Sequence, residues 1–318
     1  MPAHHESDES VKAPLRRTRL RRSVLSTPGS KPEMIAKAAA SDADVVFVDL
    51  EDAVAPGQKV AARATAVEAL MTREWGRTAR AVRINDTSTE WCHDDLIDIV
   101  TGAGEVLDVI IVPKVRSPRD VWFVDDLLTQ LELKLRLPGG RIGLEVLVEE
   151  VEAVQNVDEI ARASSRLEAI TLGVGDLAAS QGMRLGHIGA ANSGYLGDIW
   201  HYARHRLVIA ARSAGVEPID GPHSDFRDLE GLERSAASFA ALGGGGKWCI
   251  HPAQIEVLNR MFAPTTEEID EARAVVAAME DAIARGDGAA NLDGVMIDAA
   301  SARAFERRLE RARLCGLL

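Results

Sequence analysis

Short apolar runs in this chain end, one after another, on ionisable side chains. VVFVDLE contains Asp49, closes on Glu51 and is followed by Asp52, RAVRIN contains Arg83, and VIIVPKV contains Lys114. GLEVLVE closes on Glu149, AITLGVGD on Asp176, EPIDGP contains Asp220 and KWCIHP contains His251. One such ending is commonplace. A series of them is hard to explain as packing, because each charge costs stability if buried without a partner. Glu149 and Asp176 end consecutive runs, so their carboxylates could meet at one point. Two hard oxygen ligands with few protein partners suit Mg²⁺, which keeps several waters and takes other ligands from substrate oxygens. The competing reading gives each carboxylate a local arginine or a helix to cap. Arg83 offers a planar fork that could grip a carboxylate or stabilise an enolate oxygen. Alternatively it forms a salt bridge to Glu51 or Asp52. Lys114 could act similarly, or pair with Asp49 or Glu51.

These residues need elements that aim them at one place. The runs SVLST (23–27), VVFVDLE (45–51), RAVRIN (80–85), VIIVPKV (109–115), GLEVLVE (143–149), AITLGVGD (169–176), EPIDGP (217–222) and KWCIHP (247–252) read as strands. Several are continuously apolar, which suits a parallel sheet covered on both faces. Amphipathic segments such as QKVAARATAVEALMT and PRDVWFVDDLLTQLEL separate them. Eight β–α units are the count that closes a TIM barrel, an α/β (β/α)8 fold whose active site lies where the strands' C-terminal ends converge. An open doubly wound sheet is the alternative.

The first strand leads into Ser26-Thr27-Pro28-Gly29-Ser30-Lys31-Pro32-Glu33. Ser30 and Glu33 have capping-box spacing, with Pro32 in the first turn. Such a helix start, with Lys31 and Lys37 beside it, is either a phosphate site or simply a well-capped helix. After the eighth strand the pattern turns helical. Thr265 and Glu268 again have capping-box spacing, and Ile269, Ala272, Val275, Val276, Met279 and Ile283 form one apolar stripe. A loop, ARGDGAANLDGVMID, leads to a last helix over 299–313, which Asp298 would cap. The expected organisation is a mobile tail over 1–18, a barrel over 19–262 and a C-terminal helical extension over 263–318 that packs on a neighbouring subunit.

A net charge of −12 argues against nucleic acid or an anionic membrane as partner. Cys92, Cys249 and Cys315 are scattered and lack metal-ligand spacing, as expected of reduced thiols in a cytoplasmic protein. No apolar run is long enough for a membrane span, and the polar start lacks a signal-peptide core. The basic stretch Arg16, Arg17, Arg19, Arg21 and Arg22 is either a solvated charge run or an aid to an anionic substrate.

Longer motifs carry a family resemblance. PGSKP (28–32), DVVFVDLEDAVAP (44–56), VRIND (82–86), VPKV (112–115), EVLVE (145–149), LGVGDLAASQGM (172–183), PIDGP (218–222), GKWCIHPAQI (246–255) and FAPTTEEIDEA (262–272) stand out. With them, from about residue 20 to the C-terminus, the chain resembles the citrate lyase β-subunit superfamily, the HpcH/HpaI aldolases. Within it, IDGP followed by SDF, KW-x-IHP and the GVMIDAAS tail are similar to the malyl-CoA lyase group.

The resemblance implies Glu149 and Asp176 as Mg²⁺ ligands, with Mn²⁺ as an alternative ion. It implies Arg83 at the keto acid and enolate, beside the acidic Glu51 and Asp52. Ser26, Lys31, Lys37, Gly175, Asp176, Ile250 and His251 would contact the CoA thioester substrate. Asp298 would be the acid–base aspartate delivered to a neighbouring subunit's site in a homotrimer or homohexamer. The implied reaction is reversible cleavage of malyl-CoA, and of β-methylmalyl-CoA, to glyoxylate and acetyl-CoA or propionyl-CoA. A citramalyl-CoA lyase, a citrate lyase β-subunit, a malyl-CoA thioesterase and a non-catalytic CoA-binding subunit are the alternatives. Two features depart from the bacterial malyl-CoA lyases: the segment over 184–201 is shorter, and Ser26 stands where a bulkier residue is usual.

Overall fold

The computed structural model describes residues 17–184, 195, 197–292 and 294–318. Eight parallel strands close into a barrel in sequence order: β1 (Ser23–Pro28), β2 (Val45–Asp49), β3 (Ala79–Arg83), β4 (Val109–Val112), β5 (Gly143–Val148), β6 (Leu167–Leu172), β7 (Glu217–Asp220) and β8 (Gly246–Cys249). Around them run α1 (Pro32–Ala39), α2 (Lys59–Thr72), α3 (Cys92–Ala103), α4 (Pro118–Leu135), α5 (Val151–Gln155), α6 (Val157–Ile160), α7 (Val174–Ser180), α8 (His201–Ala214), α9 (Leu229–Ala241) and α10 (Ile255–Met261). The open sheet is thereby excluded: β1 pairs with β8, Leu25 opposite Cys249.

Strand alternation divides the side chains between two cores. Val24, Phe47, Ile111, Leu147, Ile219 and Trp248 fill the barrel interior. Leu25, Val46, Val82, Ile110 and Val146 point outward into the larger layer beneath the helices. Both faces are therefore apolar, which is why the strands read as continuous runs. At the N-terminal end of the barrel, Arg21 plugs the interior on Glu145 and Glu168, at 3.3 and 2.7 Å.

The C-terminal arm comprises α11 (Thr266–Ala284), a hairpin of β9 (Ala289–Leu292) and β10 (Val295–Asp298), and α12 (Ala299–Leu314). It has its own small core of Val275, Met279, Ala282, Ala290, Ile297 and Ala302. Arg311 anchors it to the N-terminal end of the barrel by donating to the carbonyls of Gly245 and Phe262, at 2.5 and 3.2 Å.

Four sequence expectations need correction. The segment 285–298 is not a loop, because Ala290 and Ile297 pair across strands and bury their side chains in the arm's core. The apolar stripe of α11 does not include Ile283, which is 62% exposed; Ala282 faces inward instead. Ser30 and Glu33 form no capping box. Lys31 is the N-cap of α1, held outside the helical region (φ −127°, ψ 82°) as the residue before Pro32. The sixth strand stops at Leu172, so Asp176 lies in the first turn of α7. At Thr265 and Glu268 the expected capping box is present. Most of the shortened segment over 184–201 and most of the tail over 1–18 lie outside the described residues.

Candidate active site

The mouth is the rim at the C-terminal ends of the strands, and alternation decides who reaches it. Phe47 faces inward, so Asp49 does too; Ala81 carries Arg83, and Leu147 carries Glu149. Arg83 and Asp49 pair in adjacent register. Arg83 Nε and Nη2 donate to the two oxygens of Asp49 at 2.7 and 2.6 Å. Its Nη1 lies 2.9 Å from Glu51 Oε2, and its guanidinium stands over Phe47 and Trp248, at 5.8 and 5.7 Å from the ring centroids. Burial alone would push the Asp49 carboxyl upward, but the Arg83 guanidinium and the hydrogen bonds hold it below its ordinary range. The Asp49 pair uses Nε and one N–H of Nη2, and Nη1 meets Glu51 at ion-pair distance, so donors of the guanidinium remain for a ligand.

Glu51 bridges two cations, because Lys114 Nζ bonds its other oxygen. Burial nonetheless raises the pKa of Glu51. Lys114 also approaches Asp52 at 3.3 Å and Asp176 at 3.9 Å, so its partners are Glu51 and Asp52 rather than Asp49. Lys114 adopts a left-handed backbone (φ 49°), a strained state for a non-glycine residue. That turn aims its N–H at Glu149 Oε1, 2.8 Å away.

Glu149 is buried, and its burial, reinforced by the charge of Asp176, pushes its pKa up to about 8 despite Arg83. Its Oε2 takes no hydrogen bond from the described residues and lies against Gly173. A Cβ there would come within 2.2 Å of Oε2, so the glycine makes room for the carboxylate. Asp176 follows Gly173 by three residues, within the first turn of α7, with its side chain 39% exposed. An underbonded buried carboxylate beside a half-open one is a fitting donor set for Mg²⁺. Among the described residues no group of three or more potential ligands gathers at one point.

Two candidates fall away from the mouth. Asp220 follows inward-facing Ile219, so it points outward. There it lies under α8 and α9, bonded to Arg204 at 2.9 and 3.1 Å and to Lys247. Asp298 caps α12 by accepting from Ser301 N–H at 2.8 Å and from Ser301 Oγ at 2.9 Å. The arm's far end is anchored at the opposite end of the barrel, about 20 Å along α12.

Ser26, Lys31, Ile250 and His251 belong to the neighbouring strands β8 and β1 or to the loops that follow them. Ser26 is half-buried within β1, two residues before its end, Lys31 is exposed just before α1, and Lys37 is exposed in its last turn. Ile250 is 42% exposed, and exposed His251 accepts from Ala253 N–H through Nδ1 at 3.1 Å. Gly175 is half-buried in the first turn of α7.

Sequence reasoning missed Lys59. Its buried ammonium donates to the carbonyls of Leu50 and Glu51, at 3.0 and 2.9 Å, and to Asn85 Oδ1 at 2.5 Å. It thereby ties together the loops after β2 and β3. One lysine in an amphipathic helix looks like solvated charge, and nothing in its spacing distinguishes it.

Comparison with known proteins now adds to this geometry. Residues 22–252 match the family described as HpcH/HpaI aldolase/citrate lyase. The chain is 42% identical over 298 residues to the L-malyl-CoA/beta-methylmalyl-CoA lyase of Cereibacter sphaeroides (strain ATCC 17025 / ATH 2.4.3), covering 90% of this chain and 93% of that one. It is 34% identical to the malyl-CoA/beta-methylmalyl-CoA/citramalyl-CoA lyase of Chloroflexus aurantiacus, over 86% of this chain and 82% of the relative. Among solved structures it resembles the CitE protein of Mycobacterium tuberculosis in complex with magnesium, acetoacetate and coenzyme A. That match has a TM-score of 0.73 and 32% identity, and covers 92% of this chain and 97% of the other.

Proposed function

The chain belongs to the HpcH/HpaI aldolase/citrate lyase family, and on that premise we propose that it is a magnesium-dependent carbon–carbon lyase. It reversibly cleaves malyl-CoA, and β-methylmalyl-CoA, to glyoxylate and acetyl-CoA or propionyl-CoA. The observation that carries this reading is the pairing of a locked arginine with an underbonded carboxylate at one barrel mouth.

Glu149 and Asp176 would hold the magnesium, which when bound supplies Lewis-acid polarisation of substrate oxygens. Asp49 fixes Arg83, so its remaining N–H groups would meet the developing enolate oxygen without reorganisation. Glu51, raised in pKa by burial and flanked by Asp52, takes the proton of the substrate hydroxyl. The electron pair of the breaking C–C bond passes into the thioester enolate, whose carbon then receives a proton from Asp298. In the reverse direction Asp298 removes that methyl proton, a general-base step. Its position at the outer end of the arm supports delivery from a neighbouring protomer, in a homotrimer or homohexamer.

Ser26, Lys31, Lys37, Gly175, Ile250 and His251 are assigned to the CoA thioester. Mn²⁺ is assigned as a second competent ion, because it takes the same oxygen ligands. The barrel over 19–262 holds the chemistry, and the extension over 263–318 serves the neighbour. Free Cys92, Cys249 and Cys315 suit the reducing cytoplasm. No helix among the described residues is long and apolar enough to cross a membrane.

Turnover of the purified protein with malyl-CoA tests the reading. Equal release of glyoxylate and acetyl-CoA is expected. Free CoA with malate would make it a thioesterase, and CoA binding without turnover would make it a binding subunit.

A further inference from the structure

We propose that Phe226 is a binding residue for the CoA arm of the substrate, forming with His251 one aromatic wall along which that arm leaves the barrel; this rests on the lyase reading above. Phe226 lies in the loop between β7 and α9, and His251 lies just after β8, so both stand at the mouth. Their rings stack with centroids 4.8 Å apart and planes 21° apart. Phe226 is 40% exposed, as is much of its neighbour Ile250 at 42%, and it belongs to no apolar core of the described residues. Its ring neighbours are polar: His251 on one side, and the Arg227 guanidinium 5.5 Å from the ring centroid.

An aromatic ring held in solvent by a loop contributes little to folding, whereas a ligand that covers it gains apolar burial. The pairing also fixes what His251 presents. Its Nδ1 accepts from Ala253 N–H, so a neutral ring carries its proton on Nε2. The wall therefore offers an apolar face and one outward N–H donor, which matches the amide-bearing pantetheine chain.

Cations stand beside the wall. Exposed Arg227 follows Phe226 in the loop after β7, accompanied there by Asp225 and Asp228, and exposed Lys31 lies in the loop after β1, the strand that neighbours β8. This guanidinium and this ammonium are available to the phosphates of the arm.

The test compares Phe226→Ser and Phe226→Tyr with the unaltered enzyme on malyl-CoA and on the N-acetylcysteamine thioester of malate, which lacks most of the arm. Phe226→Ser should raise KM for malyl-CoA about tenfold with kcat held, and Phe226→Tyr should restore it. With the truncated thioester the three proteins should have the same KM. Calorimetric titration with CoA alone should show the same loss of affinity, and needs no turnover. An unchanged CoA affinity in Phe226→Ser overturns the proposal. So does an equal KM rise on both thioesters, which would mark a structural role. An enzyme that never cleaves malyl-CoA yet loses CoA affinity in Phe226→Ser refutes the lyase reading and leaves this inference standing.

Discussion

Arg83 and Asp49 meet as a bidentate pair, two N–H···O bonds of 2.7 and 2.6 Å, between neighbouring strands at the mouth of the barrel. The pair is buried, so Asp49 compensates the arginine's charge and sets its plane at the same time. A lysine in place of Arg83 keeps the charge but loses the planar fork. Arg83→Lys should lower kcat on the order of 10²–10³-fold while leaving Mg²⁺ binding in place. Steady-state kinetics and a metal titration on the same preparation check both halves.

Metal affinity should depend on pH in a direction fixed by Glu149. Its pKa stands at about 8 in the metal-free protein, raised first by burial and then by Asp176. Below that pH a proton must leave before the carboxylate can bind a cation. Magnesium affinity is therefore expected to rise by about tenfold per pH unit up to about pH 8 and then level off. Calorimetry in buffers of different ionisation enthalpy would show one proton released per ion at pH 7 and almost none above pH 9.

Asp220 was expected at the mouth and lies instead between the barrel and its helices, paired with Arg204 and Lys247. Asp220→Ala leaves buried Lys247 without its carboxylate, and Arg204 with the half-open Asp198 as its counter-charge. A loss of about 3–5 kcal/mol in a denaturant titration is expected. The activity per folded molecule should change far less than it does on substitution of Arg83.

The barrel was legible because eight apolar runs alternate with amphipathic segments, and a closed parallel sheet is what both-face burial demands. The side each charged residue faces was less legible. Asp49 and Asp220 end similar strands, yet inward Phe47 and inward Ile219 stand two residues and one residue before them, which sends one carboxylate in and the other out. Register of that kind depends on closure, not on local pattern. Asp176 was placed on a strand because GVGD follows AITL without a break, although Gly173 starts a helix there. Lys59 was invisible, since only folding brings Leu50, Glu51 and Asn85 around its ammonium. The hairpin of β9 and β10 was missed because only Ala290 and Ile297 of its residues are buried, too few to give an apolar run.

Asp298 caps its own α12 and lies at the free end of an arm fixed to the far face of its barrel. If it serves a neighbour, Asp298→Ala and Arg83→Ala should each be inactive alone and regain activity after subunit exchange. Mass spectrometry of mixed assemblies establishes that exchange has occurred. Exchange without recovered turnover would restrict Asp298 to capping.

The account stands or falls on Glu149 and Asp176 holding one divalent cation. Mn²⁺ binding, followed by electron paramagnetic resonance in the unaltered protein and in Asp176→Ala, measures this directly, with malyl-CoA cleavage assayed alongside. One ion per protomer in the first, none in the second, and cleavage lost with the ion is the result expected. Undiminished cleavage by Asp176→Ala after exhaustive chelation would contradict it.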